Sequence, residues 1–277
     1  MREAQAKAIH LKDYAPPAFI ITSVTLDVDI RADDALVTAT LAVRRNPASR
    51  AKDAALVLDG DELELVSVLL DGKEKEYKVT AENLTIRDVP DAFTLETVTR
   101  IVPQKNTKLE GLYGTKSGFV TQCEAQGFRR ITWFLDRPDN LAIFTTTVHA
   151  DASKYPVLLS NGNLVSSGKE ANNRHRARFE DPYPKPSYLF ALVAADLEFI
   201  REKIKSKSGK DKTLYIYVEP GKLDQAGWSM DCLKRAIRWD ERRFGLGPGA
   251  GSYEPYYTPA GARAHLALAS ITLQPWP

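Results

Sequence analysis

Residues 20–30 alternate with a period of two. Ile20, Thr22, Val24, Leu26, Val28 and Ile30 fall on one side, and Ile21, Ser23, Thr25, Asp27 and Asp29 on the other. Successive side chains of a strand point to opposite faces, so this stretch is constrained to be a half-buried antiparallel strand. Arg31-Ala32-Asp33-Asp34 turns the chain. Val37, Ala39, Leu41 and Val43 then resume the alternation against Thr38, Thr40 and Arg44, which predicts a hairpin. Short apolar runs follow at residues 56–58, 63–70, 77–79, 84–86 and 93–102, and again at 144–148, 157–159, 188–194 and 214–218. Asp59-Gly60 and Asp71-Gly72 suit tight hairpin turns. Many short strands with regularly spaced turns predict a mainly β fold, a sandwich or an extended curved sheet.

One helix is predicted, near the end of the chain. Asp224 is placed to cap it; Met230, Leu233, Ile237 and Phe244 recur at helical spacing, and Trp228 and Trp239 add apolar bulk. Lys234, Arg235, Arg238, Glu241 and Arg242 make the opposite face, and Gly245 is a natural stop. The change from strands to an amphipathic helix near residue 220 predicts entry into a second domain. Residues 247–277 are rich in glycine and proline and are expected to be poorly ordered, with only 264–273 able to form a short ordered piece.

The 277 residues allow one large domain, or one domain and part of another. Lysine and arginine total 38 against 36 acidic residues, a net charge of +2, which provides no electrostatic basis for binding nucleic acid or an anionic membrane. No apolar run is long enough for a membrane span, and the mixed-charge start Met1-Arg2-Glu3-Ala4 does not read as a secretory signal. Cys123 and Cys232 read as free thiols in a reducing compartment, so the expected location is cytoplasmic, although a removed transit peptide would leave no trace.

Nucleophile and metal motifs fail one by one. No two of His10, His149, His175 and His265 lie three to five residues apart, which excludes a helical pair of zinc ligands. His149 reads as an exposed strand histidine and His175 as part of a basic turn. Leu159-Ser160-Asn161-Gly162-Asn163 lacks the first glycine of a nucleophile elbow and reads as a turn. Cys123 has Glu124 beside it, which would raise its thiol pKa, and no activating base close in sequence. Ser206-Lys207-Ser208-Gly209-Lys210 superficially resembles a phosphate loop but reads as a solvated turn between strands. The remaining candidate is Gln122-Cys123-Glu124-Ala125-Gln126-Gly127-Phe128-Arg129-Arg130. There a carboxylate beside an amide could bind an ammonium group, or Glu124 could pair with Arg129 or Arg130 at the surface.

Longer segments carry a resemblance. Asn106-Thr107-Lys108-Leu109-Glu110-Gly111-Leu112-Tyr113, Thr121-Gln122-Cys123-Glu124-Ala125 and Leu135-Asp136-Arg137-Pro138-Asp139 resemble, in order, the N-terminal region of the aminopeptidase N family of zinc metallopeptidases. So do Lys154-Tyr155-Pro156-Val157-Leu158-Leu159-Ser160-Asn161-Gly162-Asn163, the segment from Asp181-Pro182-Tyr183-Pro184 to Ala194, and Trp239-Asp240-Glu241-Arg242-Arg243-Phe244-Gly245-Leu246. The resemblance covers residues 15–246. It implies an N-terminal arm (1–13), a curved, saddle-like β-sandwich domain (14–196), the truncated start of a thermolysin-like α/β catalytic domain (197–246) and a divergent tail (247–277). It further implies that Glu124 holds the α-amine of a peptide N-terminus and that Gln122 lines the first side-chain pocket.

The chain departs from the family in two places. Gln126 stands where an acidic residue is common in this loop. Past Leu246 the exopeptidase loop and the His-Glu-x-x-His helix are replaced by the glycine- and proline-rich tail. A frameshift, a misread splice boundary or a truncated gene model would explain the replacement. Zinc belongs to the full-length family and is not expected to bind this chain. The expectation is a fragment without peptidase activity that contributes only Glu124 and Gln122. Its partners would be peptide N-termini, the missing catalytic portion or a full-length copy. The alternatives are a binding module that recognises N-termini without cleaving them, and a truncated regulator of a full-length aminopeptidase.

Overall fold

The computed structural model describes residues 10–244 apart from 52, 208 and 210, so His265 and the tail expected to be poorly ordered lie outside the described residues. Among the described residues the strands form four sheets. The largest has eight, in the spatial order Asn163–Glu170, Arg174–Lys185, Ala142–Asp151, Phe19–Ile30, Ala35–Arg45, Ala92–Ile101, Glu64–Leu70 and Lys73–Glu74. All neighbours are antiparallel except Phe19–Ile30 and Ala142–Asp151, which run parallel with Val24 opposite Phe144. A three-stranded sheet contains Leu56–Asp59, Asn83–Ile86 and Lys78–Val79, and a four-stranded one contains Val157–Ser160, Leu192–Ala195, Gly118–Gln122 and Gly111–Gly114. Glu198–Lys205 and Asp211–Val218 form a separate hairpin.

One buried cluster unites these layers. Val24, Leu26, Leu41, Leu95 and Phe144 on the inner face of the large sheet share it with Leu56 and Leu84 of the three-stranded sheet, and with Leu112, Phe119 and Leu192 of the four-stranded one. Removal of this apolar surface from water is the main force holding the layers together. A smaller cluster of Tyr113, Val120, Leu159, Val193 and Tyr217 ties the four-stranded sheet to the hairpin. The helix Ala226–Phe244 packs Ala226, Met230 and Ile237 onto Ile204, Leu214 and Ile216 of that hairpin.

The predicted hairpin of the large sheet forms, but its first strand changes phase. Phe19 and Ile21 are buried, then Val24, Leu26, Val28 and Ile30, because Thr22 is an extra residue between Ile21 opposite Val43 and Ser23 opposite Ala42. This β-bulge removes Ile20 and Thr22 from the inner face. The buried Asn140 accepts the Ile21 N–H at 2.8 Å, satisfying the backbone there. Asp71-Gly72 makes the expected two-residue turn, with φ of 51° and 75° joining Leu70 to Lys73. Asp59-Gly60 does not, since Leu56–Asp59 and Glu64–Leu70 belong to different sheets. The chain changes layer there, and a Cβ on Gly60 would collide with the ring of the buried Trp133. The strand expected over 188–194 begins only at Leu192, because Asn161 diverts the backbone ahead of it: its amide donates to Leu189 O at 3.0 Å and accepts the Ala191 N–H at 2.7 Å. At the helix, Asp224 lies in a preceding 3-10 turn rather than at a cap, and Glu241 is buried, accepting the Lys207 N–H at 3.0 Å. Trp228, Trp239 and Phe244 are exposed among the described residues.

His149 is not the exposed residue its alternation suggests. It is half-buried, with Nε2 3.1 Å from Asp27 and Nδ1 3.0 Å from Glu170, so it joins the first strand of the sheet to the edge strand. The hydrogen bond to Asp27 raises its pKa to about 9, with burial opposing and Glu170 adding to the rise. Folding therefore favours the imidazolium. Its contribution is fully present below the ordinary value of 6.5 and is lost as pH rises through about 9. Solvent screening at the half-exposed Asp27 limits the contribution to about 1 kcal/mol. Urea titrations at about pH 6 and about pH 10 should show His149→Gln losing that much less stability than the parent chain across the interval. Equal losses would refute the assignment.

Candidate functional site

The strands Gly111–Gly114 and Gly118–Gln122 pair as a hairpin, and the outer edge of the second is covered by Leu192–Ala195 with Val120 opposite Val193. Past Gln122 the chain leaves the sheet in a short loop. Gly127 N–H closes it onto Cys123 O at 2.8 Å, and a 3-10 turn, Phe128–Arg130, follows. Glycine is required twice here. Gly111 has φ of 71°, and a Cβ on it would lie 2.6 Å from the Arg130 Cβ. At Gly127 the φ is ordinary, but a Cβ would meet the Gln122 carbonyl oxygen and, at 2.8 Å, the Gly111 nitrogen.

Beneath the loop the chain is anchored by rings and by charge. Phe128 is fully buried, with ring centroids 4.9 Å from Phe134, 5.1 Å from Phe190 and 5.8 Å from Phe144. Beside it the buried Asp136 accepts the Arg129 N–H and Nε–H, each at 3.1 Å, on one oxygen, and the Ser187 hydroxyl at 2.6 Å on the other. Asp136 N–H donates to Asp59 at 3.1 Å; burial pushes the Asp59 carboxyl up, partly offset by the Arg129 guanidinium. Arg130 is buried on the other side, paired with Asp61 at 2.5 Å and Glu62 at 2.8 Å. Its hydrogen bond to Glu62 holds that carboxyl below the usual range.

These contacts dispose of one alternative for Glu124. Both arginines that could have paired with it are committed elsewhere, and Glu124 stands exposed with no hydrogen bond or ion pair on its carboxylate among the described residues. Gln122 is half-buried at the strand end, its side-chain amide donating to the Glu124 backbone oxygen at 3.2 Å. The loop thus presents a carboxylate free to accept hydrogen bonds from an ammonium group, on a stem fixed by buried groups. Cys123 is no nucleophile: burial, followed by the Asp136 charge and not by Glu124, pushes its thiol well above the ordinary range.

Sequence reasoning gave Asp136, Asp59 and Ser187 no role at the site. A signal for the first was present, because Asp136 ends the run Ile131-Thr132-Trp133-Phe134-Leu135, and a carboxylate at the end of a buried segment must be paired. Among the described residues no three His, Cys, Asp or Glu side chains converge into a metal site. His175, on a strand rather than in a turn, bonds Tyr155 O at 2.8 Å, and His10 is exposed. The described residues do not fit a zinc centre. Among them, too, no helix is long and apolar enough to cross a membrane.

Residues 21–189 match the Peptidase M1 N-terminal domain. Aminopeptidase N of Escherichia coli (strain K12) is 46% identical over 246 residues, 88% of this chain and 28% of that protein. Aminopeptidase N of Caulobacter vibrioides is likewise 46% identical, over 248 residues. A crystal structure of Legionella pneumophila aminopeptidase A in complex with aspartic acid is 35% identical with a TM-score of 0.81, covering 86% of this chain and 28% of that one. An M1 zinc metallopeptidase from Deinococcus radiodurans bound to a Tyr-Ser-Ala substrate shares the fold, with a TM-score of 0.62 at 18% identity over 75% of this chain and 49% of that one. The chain spans about 28% of the length of the Escherichia coli and Caulobacter proteins. With its matched region covering well over half of its residues, this chain belongs to the M1 peptidase family, and the match is to that family's N-terminal domain.

Proposed function

We propose that this chain supplies the amine-recognition element of an M1-type aminopeptidase: Glu124 accepts the ammonium group of a peptide N-terminus, and Gln122 borders the first residue of that peptide. The observation that carries the reading is the free, exposed Glu124 carboxylate on a loop whose two neighbouring arginines are held by other acids. Residues 14–196 then form the β domain, and 197–246 begin the catalytic one. On this reading the chain binds and orients an N-terminus; among the described residues no three His, Cys, Asp or Glu side chains converge to hold a metal. The purified chain should give no turnover of an alanyl amide with added zinc; turnover above a zinc-free blank would overturn that part of the reading.

Recognition is tested separately. Titration calorimetry with a short free-amine peptide and with its acetylated form should show a preference for the free amine, which Glu124→Gln lowers about ten-fold. Equal binding of both peptides by the parent chain would sink the assignment. The free carboxylate also favours one second reading, a binding module that holds N-termini without cleaving them. In that case the preference would give micromolar rather than millimolar affinity in the isolated chain, roughly 4 kcal/mol stronger.

A further inference from the structure

We propose that Asp136 is the positioning residue of the amine-recognition loop, fixing where the Glu124 carboxylate stands by holding one stem of the loop directly and bracing, through Ser187, the segment leading into the strand against which the other stem is paired. The proposal rests on the reading of Glu124 given above. One stem leaves the loop at Gly127 and continues into Arg129, whose N–H and Nε–H both reach Asp136 at 3.1 Å. The other enters through Gly118–Gln122, which is paired with Leu192–Ala195. Ser187, ahead of that strand, gives its hydroxyl to Asp136 at 2.6 Å. Thr121 secures the same junction, its hydroxyl accepting the Leu192 N–H at 2.8 Å. Asp136 is itself held from behind, through its N–H to Asp59.

These bonds use both carboxylate oxygens. Without the Asp136 side chain the Arg129 guanidinium keeps the Asp136 backbone oxygen at 3.1 Å and the Asp59 carboxylate at 3.7 Å, neither of which holds its Nε–H. The Arg129 N–H, which starts the chain away from the loop, would be left without its acceptor. The buried Cys123, next to Glu124, is close enough to feel the Asp136 charge and so reports on the loop directly.

The test uses the full 277-residue chain and the variants Asp136→Ala, Asp136→Asn and Ser187→Ala. Alkylation of Cys123 by iodoacetamide is followed against the half-buried Cys232, over a series of low urea concentrations. Free-amine and acetylated peptides are titrated in parallel. Asp136→Ala is expected to speed Cys123 labelling at least about ten-fold, with little urea dependence, because the opening is local. The preference for the free amine should fall by a similar factor. Asp136→Asn removes the charge but keeps an acceptor for Arg129. It should restore most of the protection and the preference, which separates loop position from a change in thiol acidity.

Unchanged Cys123 protection in Asp136→Ala would overturn the proposal. So would labelling that carries the full urea dependence of global unfolding, since that marks a merely structural role. An intact amine preference despite an open loop would overturn it as well. If Asp136→Ala does not fold, Ser187→Ala, which removes a single bond, decides by the same readouts with a several-fold expected effect. If the parent chain shows no amine preference, the reading of Glu124 fails, and Cys123 protection still judges whether Asp136 holds the loop.

Discussion

Phe128→Ala is expected to lower stability by about 3–5 kcal/mol, seen as an earlier urea midpoint with an unchanged slope. The ring is fully buried and touches rings from three other parts of the chain: Phe134 on the segment after the 3-10 turn, Phe144 in the large sheet and Phe190 ahead of Leu192–Ala195. Edge-to-face packing among them adds to the plain transfer of the ring from water. Lys185 caps the group, its ammonium 3.9 Å from the centre of the Phe144 ring. Phe128→Leu keeps most of the volume and should cost less than about 1.5 kcal/mol. A loss below about 1 kcal/mol for the alanine variant would mean that this cluster does not hold the layers together.

The same cluster marks the limit of what the sequence made legible. Alternation revealed the strands that bury one face, because period two survives wherever one side meets the core. It could not reveal the extra residue at Thr22, since a bulge shifts phase without changing composition. It also passed over Asn163–Glu170, an edge strand almost wholly exposed, and Arg174–Lys185, whose charges and two prolines hide its pattern. At the loop, Glu124 and Gln122 came from resemblance, and the residues alone left Glu124 either free or paired with a neighbouring arginine. The choice was made by Asp61 and Glu62, which take Arg130 from nearly 70 positions away, and by Asp136, which takes Arg129. The pairing of Arg130 with acids so far away in the chain leaves no local trace.

Gly127→Ala is expected to damage recognition more than its small change in volume suggests. The residue has φ of −80°, which alanine adopts readily, so any cost is steric. A methyl group there would meet the Gln122 carbonyl oxygen and the Gly111 nitrogen, both backbone atoms of paired strands that cannot swing aside. Either the hairpin parts or the loop rides outward, and the Gly127 N–H to Cys123 O bond that closes the loop is lost in both cases. The expected cost is about 1–3 kcal/mol in stability, together with loss of the preference for free-amine over acetylated peptides. Gly168→Ala is the control: on the exposed edge strand a Cβ meets nothing within 4 Å, and its effect should stay within about 0.5 kcal/mol. Because the predicted collision lies at the base of the loop and not at Glu124 itself, Gly127→Ala tests the geometry independently of the carboxylate. A Gly127→Ala chain that melts and binds like the Gly168→Ala control would show that the close approach at Gly127 does not fix the loop.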